Sequence, residues 1–567
     1  MKKRYLLGAV AVTFFSFSSL KADFKPFDEN GNMIRTGRGA EGKVGIVSTS
    51  KYEASKIGMD VLKKGGNAID AAVAAGFALG VAEPNSSGLG GGGFMLIRIA
   101  KTGETVFIDF RERAPKNSAP KMWVLDKDGK VVNNEKVEGG KAAGVPGEVA
   151  GLLYALEKYG TMSREDVIRP AADLAKNGFV VTPTLSGDMK NKYDLMIKYP
   201  EFGKTFLTAD GFPYETGDTF KNEDMAKTLD LIIKNGKDGF YKGEVAESIV
   251  GTLNKYGGVF TMEDLANYEP RIRKPVVGNY RGYEIISSPA PSSGGAVVVQ
   301  ILNILENFNV GDMEVNSPEY LHLFSEAFKL SYADRAKYMG DTDYTPVPLK
   351  GLTSKKYAKD LSEKIDMSKS KESIAHDPWQ YESDDTTHYS IADKEGNMVS
   401  VTKTVNGIFG NGVVADGYGF VLNNEMDDFV TGEGHPNSVA PGKTPLSSMS
   451  PTIVLKNGEP FMVLGSPGAT KIISTVSQVI SKVVDHDMGM QEAIDAPRMF
   501  DNTSNKINVE TRITPETVEK LEALGHKVDG TSEWDRGMGS VQGVLYKKDG
   551  TLEGGADPRR DGKAVGI

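Results

Sequence analysis

The chain has 567 residues, with 67 Lys and Arg, 76 Asp and Glu, and no Cys. The lack of Cys excludes disulfides, thiolate metal sites, iron–sulfur clusters and a cysteine nucleophile. A formal net charge of −9 speaks against nucleic acid as the main partner, and a composition of 39% hydrophobic and 25% charged residues excludes wholesale disorder.

Residues 1–22 read as a secretory signal. Lys2, Lys3 and Arg4 form a basic start, Leu6 to Phe17 is an apolar run too short to span a bilayer well, and Ala22 suits the position before a cut. The remainder offers no run of 18 apolar residues, so the mature protein is expected in a bacterial periplasm or secreted. Helical spacing follows from Tyr52 to Val81, broken at Gly65-Gly66. Its second half repeats small residues (Ala68, Ala71, Ala72, Ala75), which predicts close packing against a neighbouring layer. Phe94 to Ile99 and Thr105 to Phe110 read as strands. The middle, from Pro115 to Ser368, reads as mostly helical, with helices near Val149–Lys158, Met225–Asn235 and Pro318–Tyr338. Strands return after Thr386, around a helix near Lys471–Val484. This order predicts layered α and β structure (an α+β class) without a clean domain split.

Gly88 to Gly93 fits G-x-G-x-x-G formally, but a helix precedes it and a strand follows. That is the reverse of a dinucleotide site, so a close-approach or flexible loop at a pocket edge is expected instead. The six histidines show no metal-ligand spacing, and no metal or cofactor is expected. Ser292-Ser293-Gly294-Gly295 and Ser447-Ser448 lack the nucleophile-elbow pattern and read as hydrogen-bonding loops.

The segment from Asp384 to Ser390 is the most informative. Thr386 to Asp393 and Met398 to Val405 alternate as strands around a Lys394-Glu395-Gly396 turn. If Asp393 faces Asn397, Thr386 lies opposite Thr404. Taken alone, that is an ordinary cross-strand pair.

Thr386-Thr-His-Tyr-Ser390 resembles the start of the small subunit of γ-glutamyltransferases, N-terminal nucleophile hydrolases that cleave themselves before that threonine. Other family-like strings occur in order: Gly88–Leu96, Asp109–Glu112, Pro291–Gly295, Leu422–Asp428, Pro445–Pro451, Gly465–Gly468 and Asp557–Arg559. The resemblance implies a four-layer αββα sandwich built jointly by two autoproteolytic fragments, 23–385 and 386–567, which stay together as a heterodimer. It implies cleavage of the γ-glutamyl amide of glutathione, glutamine and related compounds, with transfer to water or to an amino acid or peptide.

Such an amide has a poor leaving group, and a covalent acyl-enzyme divides the task. Thr386 would supply the nucleophilic Oγ and, after cleavage at Asp385–Thr386, a free amine as base. Thr404 would orient the Thr386 hydroxyl. Arg111 would pair with the donor α-carboxylate, joined by Ser447 and Ser448. Glu425 and Asp428 would bind the α-ammonium, with Asn406 assisting, while Asp427 faces elsewhere and Asp109 is structural. The Gly468 and Ala469 N–H groups would form an oxyanion hole.

Three positions depart from the family pattern. Ala469 stands where a second Gly is usual; it keeps its N–H, so the hole persists if its φ is negative. Lys471 stands where Arg is usual. The stretch from Asp428 to Pro445 is short and has no aromatic residue beyond Phe429, which predicts an open site. Three other readings compete: a cephalosporin acylase-like amidohydrolase, whose substrate lacks the α-ammonium; a periplasmic solute-binding protein, which needs no self-cleavage; and a disabled homologue used for binding, against which every expected catalytic side chain is present.

Overall fold

The structure is a computed structural model that describes residues 24–371, 385–502 and 506–567. Residues 1–22, read as a signal, and Asp384 lie outside the described residues.

Two seven-stranded antiparallel sheets form the centre. The first holds the hairpin predicted from sequence. Its strand order is Lys563–Gly566, Gly45–Thr49, Thr387–Asp393, Met398–Thr404, Gly92–Arg98, Thr105–Asp109 and Arg271–Arg273. The second runs Ala40–Gly42, Leu552–Ala556, Gln542–Tyr546, Glu459–Gly465, Thr452–Lys456, Tyr283–Ser287 and Val276–Tyr280. The hairpin at Val276–Ser287 breaks the stretch read as mostly helical. Its alternation is masked because exposed Val277 faces outward while Ile285 and Ile286 are buried.

The sheets pack face to face, with helices on their outer sides. Tyr52–Lys63, Ala68–Ala82 and Glu148–Tyr159 cover the first sheet. Gly294–Leu305 and Lys471–His486 lie behind the second. Successive residues of Gly92–Arg98 feed different cores: Met95 and Ile97 join the helix-side core, Phe94 and Leu96 the core between the sheets. This is the period-2 alternation of a strand buried on both faces, which is why it reads as one apolar run.

Ala68–Ala82 starts at a capping box, in which the Asn67 side chain accepts from Ile69 and Asp70 N–H while Asp70 caps back. All its residues are buried. Their small size lets the helix lie close on the hairpin strands, as the Ala pattern predicts.

The Gly-rich segment is a close-approach element. A Cβ at Gly90 would sit 2.0 Å from the Val421 carbonyl oxygen, and one at Gly91 2.0 Å from that of Thr404. Only glycine lets these backbones meet. Beside them Lys403 Nζ pairs with Glu148 Oε1 at 2.6 Å, both fully buried, and donates to the Gly76 carbonyl at 2.9 Å. This ties two helices to the strand that carries Thr404. Removing one member strands a buried charge. Lys403→Met is therefore expected to destabilise the protein by about 3–5 kcal/mol in denaturant melts, and adding Glu148→Gln should recover much of the loss.

Candidate functional site

The hairpin register is the one the turn implies. Thr387 pairs with Lys403, and Ala392 with Met398. Gly396, at φ 91°, makes the turn, and the Asp393 N–H donates to the Asn397 carbonyl at 3.1 Å. Thr386 and Thr404 consequently face each other, Oγ1 to Oγ1 at 3.2 Å. The Thr404 hydroxyl donates to the Asp385 carbonyl at 2.7 Å and accepts from the Asn406 N–H at 2.7 Å. A hydroxyl has one donor and two acceptor positions. Here the donor is spent on the carbonyl of the peptide bond before Thr386, and Thr386 Oγ1 lies next to that bond.

Thr404 pairs with Gly92 across the next strand, and Gly93 exchanges backbone hydrogen bonds with Phe110. Arg111 thus emerges at the same sheet end as Thr386, three strand spacings of about 4.8 Å away. Its guanidinium is fully engaged. It pairs with Glu425 Oε1 and Asp428 Oδ2, each at 2.6 Å, and donates to the Pro445 and Leu446 carbonyls at 3.0 and 2.8 Å. The expected ammonium ligands hold the expected carboxylate ligand, because a buried guanidinium needs anionic partners. Asn406 joins this group through Nδ2 to the Asn424 carbonyl at 3.0 Å. Ser447 Oγ accepts from the Met449 N–H at 3.1 Å, and Ser448 Oγ accepts from Arg335 Nη2 at 2.7 Å, leaving both hydroxyl protons to donate elsewhere. Ser293 Oγ donates to the Ser447 carbonyl at 2.8 Å and accepts from Arg335 Nε at 2.8 Å. The Ser-Ser-Gly-Gly loop therefore supports the site by hydrogen bonding.

Four side chains escaped the sequence reading, Arg335 and Glu112 near Arg111, and Arg536 and Arg560 on the Asp385 carboxylate. Arg335 is fully buried behind Ser293 and Ser448, at a helical position that no spacing tied to either serine. Glu112 follows Arg111 and is fully buried. It lies beside Glu425, and neither of its oxygens meets a donor group among the described residues. Burial pushes its carboxyl up to about 8 despite Arg111 and raises Glu425 as well, again against Arg111. Three buried carboxyls surround one guanidinium, so a proton held between Glu112 and Glu425 reduces the surplus negative charge of the cluster and still leaves it net negative. Asp427 instead faces Lys136 at 3.4 Å, and Asp109 pairs with Arg273 at 2.7 Å, both as expected.

Gly468 and Ala469 connect the Glu459–Gly465 strand to the Lys471–His486 helix. Their N–H groups have no acceptor among the described residues. The condition of a negative φ at Ala469 is not met: its φ is +48°, and Gly468 has +127°. The chain must turn within a few residues, and Ala469 takes the left-handed conformation that glycine favours, at a cost of roughly 1–2 kcal/mol. The open site is not seen either. Thr386, Thr404, Arg111, Glu425, Asp428, Ser447 and Ser448 are all buried, because the acids close on Arg111 and Asp385 covers Thr386.

The histidines are not all scattered. His322 Nδ1 meets His526 Nε2 at 2.6 Å, with Glu326 alongside. The fold joins positions that sequence distance separates. Glu326 is paired with Lys329 at 2.6 Å.

Thr386 and Thr404 thus form a hydroxyl pair, one member of which donates to a peptide carbonyl, beside a buried cluster of one guanidinium and three carboxyls. The gamma-glutamyltranspeptidase family profile matches residues 54–567. The chain belongs to this family. It is 44% identical over 531 residues to the glutathione hydrolase proenzyme of Escherichia coli K12, covering 91% of this chain and 90% of the relative. Among solved structures, the cephalosporin acylase of Bacillus halodurans superposes with a TM-score of 0.86 at 28% identity, over 95% of this chain and 99% of that one. A chain of Helicobacter pylori gamma-glutamyltranspeptidase matches at 46% identity and TM-score 0.54, over 55% of this chain and 89% of its own.

If an ammonium enters the acid cluster, it draws the shared proton out. Binding of a γ-glutamyl analogue at pH 7 is expected to release protons and to cease doing so well above pH 8. Calorimetry in two buffers of different ionisation enthalpy measures this, and Glu112→Gln should abolish the release.

Proposed function

We propose that the protein is a self-processing γ-glutamyltransferase. It cleaves the γ-glutamyl amide of glutathione and related compounds through an ester on Thr386 and passes the acyl group to water or to an amino acid or peptide. The observation that carries this reading is the Thr386–Thr404–Asp385 geometry. In the uncut chain, Thr386 Oγ1 attacks the Asp385 carbonyl while the Thr404 hydroxyl stabilises the developing oxyanion. The C–N bond breaks as the ester forms, the hydroxyl proton passes to the freed amine nitrogen, and water then hydrolyses the ester to the Asp385 α-carboxylate and the Thr386 hydroxyl. The freed Thr386 amine, with a reference pKa near 7.7–8.0, becomes the base for the donor reaction.

In that reaction Arg111, Ser447 and Ser448 would take the donor α-carboxylate. Glu425, Asp428 and Asn406 would take the α-ammonium, aided by Glu112. The Gly468 and Ala469 N–H groups would take the oxyanion: Ala469 has a positive φ, but both N–H groups lack an acceptor among the described residues, which supports this role. The fragments 23–385 and 386–567 would remain one heterodimer, since both contribute strands to both sheets. The stacking of helices, sheet, sheet and helices supports the four-layer αββα arrangement. The basic start and apolar run support export to the periplasm, and no described helix is long and apolar enough to cross a membrane.

The likeness to a cephalosporin acylase over 95% of the chain favours a second reading, a related amidohydrolase. The surplus of buried acid around Arg111 argues for the ammonium-bearing donor instead, since an acyl group without an ammonium leaves those carboxyls unbalanced.

Intact-mass analysis of the exported protein is expected to show two fragments, the smaller beginning at Thr386. Thr386→Ala should stay a single inactive chain. Thr404→Val, which keeps shape but loses the carbonyl donor, should slow self-cleavage by about 10²–10³-fold. Stable, uncut wild-type protein would remove the base this mechanism requires.

A further inference from the structure

The turn Glu425–Asp428 sends its four side chains two ways. Glu425 and Asp428 pair with Arg111. Met426 and Asp427 are met instead by a loop from the part of the chain before the Asp385–Thr386 bond. Met426 is buried with Phe429 and Val439 against Ala114 and Trp123, and Trp123 is itself 4% exposed. Lys136 Nζ donates to the Asp427 carbonyl at 2.6 Å and lies 3.4 Å from the Asp427 carboxylate. The same ammonium sits 5.9 Å from the centre of the Trp123 ring.

The turn needs a hold of this kind. Three carboxyls, those of Glu112, Glu425 and Asp428, crowd one guanidinium, and like charges in a buried site repel strongly. Within itself the turn has the Asp427 N–H on the Asn424 carbonyl and the Phe429 N–H on the Met426 carbonyl. Beyond that, the Asn437 side chain fixes the Asp428 carbonyl at 2.6 Å, Lys136 fixes the carbonyl just before it, and Trp123 closes over Met426. The Lys136 and Asp427 side chains are 20% and 19% exposed, so water and salt screen this contact less than an open surface pair.

We infer that Lys136 and Trp123 are positioning residues for the acyl donor: they hold the Glu425–Asp428 turn against the repulsion between its acids and so set the preference for a donor that carries an α-ammonium over one that lacks it. This rests on the reading of the acid cluster as the donor site. Hydrogen bonds from an ammonium to two carboxylates demand that both oxygens stand at fixed positions, and a misplacement of about 1 Å costs up to about a hundredfold. A donor without the ammonium relies on Arg111 and the serines, which the turn does not carry. Its binding is therefore indifferent to the loop.

The test uses the processed full-length enzyme acting on γ-glutamyl-p-nitroanilide, with glutamate and glutarate as competitive inhibitors. The two inhibitors differ only in the α-ammonium. In the wild type, glutamate is expected to bind at least about tenfold more tightly than glutarate. In Lys136→Met the donor KM and the glutamate inhibition constant should rise about tenfold, while kcat and the glutarate constant stay within about twofold. Trp123→Leu should act in the same direction, and Lys136→Arg, which keeps a donor for the Asp427 carbonyl, should restore most of the loss. A glutamate-to-glutarate ratio unchanged in Lys136→Met overturns the inference, and so does a lower kcat at unchanged KM. Self-cleavage of Lys136→Met at the wild-type rate is the check on folding; an uncleaved variant overturns a role confined to the donor. If cleaved wild-type enzyme releases no p-nitroaniline, the γ-glutamyl reading itself fails. Release with an unaltered ratio in the variant fails only the positioning role.

Discussion

The site depends on the register of one β-hairpin. A three-residue turn at Lys394–Gly396 sets Asp393 against Asn397, and every later pairing follows from it. A slip of one residue would send Thr404 to the opposite face and separate the two hydroxyls. The register holds because both faces of the hairpin are buried, one against the Ala68–Ala82 helix and the other against the second sheet. The buried Lys403–Glu148 pair fastens the strand one residue before Thr404.

From that register the rest of the centre is placed by strand neighbours. Thr404 lies opposite Gly92, Gly93 bonds Phe110, and Arg111 comes next. The glycines let the Val421 and Thr404 carbonyls pass close by, which brings the 422–428 segment and its acids onto Arg111. Close packing of backbone thus delivers charge to a place where water does not. The outcome is a cluster with more carboxyls than cations, in which burial raises the Glu112 and Glu425 carboxyls despite Arg111.

The same sheet end carries a second arrangement of opposite sense. Around Asp385 the cations gather, with Arg536 and Arg560 on one carboxylate. Burial nonetheless raises the Asp385 carboxyl, to about 6, because desolvation outweighs the two arginines. An amide-cleaving centre flanked by an acid-rich and an arginine-rich pocket has a polarity along its length.

Sequence alone determined the local features: the hairpin and its turn, the small-residue helix, the Thr-Thr-His-Tyr-Ser string and the ordered strings that mark the family. These follow from short-range rules of alternation, turn chemistry and residue size, which act over a few residues. It also named nearly every side chain that the fold gathers at the site. The tertiary structure decided what those side chains do to one another. Arg111 is saturated by Glu425 and Asp428, Glu112 is drawn into their proton balance, and Ala469 is turned to positive φ between a strand and a helix. Arg335, Arg536 and Arg560 joined the site, and His322 met His526, through contacts between residues far apart in the chain. Burial, charge pairing and desolvation belong to neighbours in space, and no spacing along the chain encodes them.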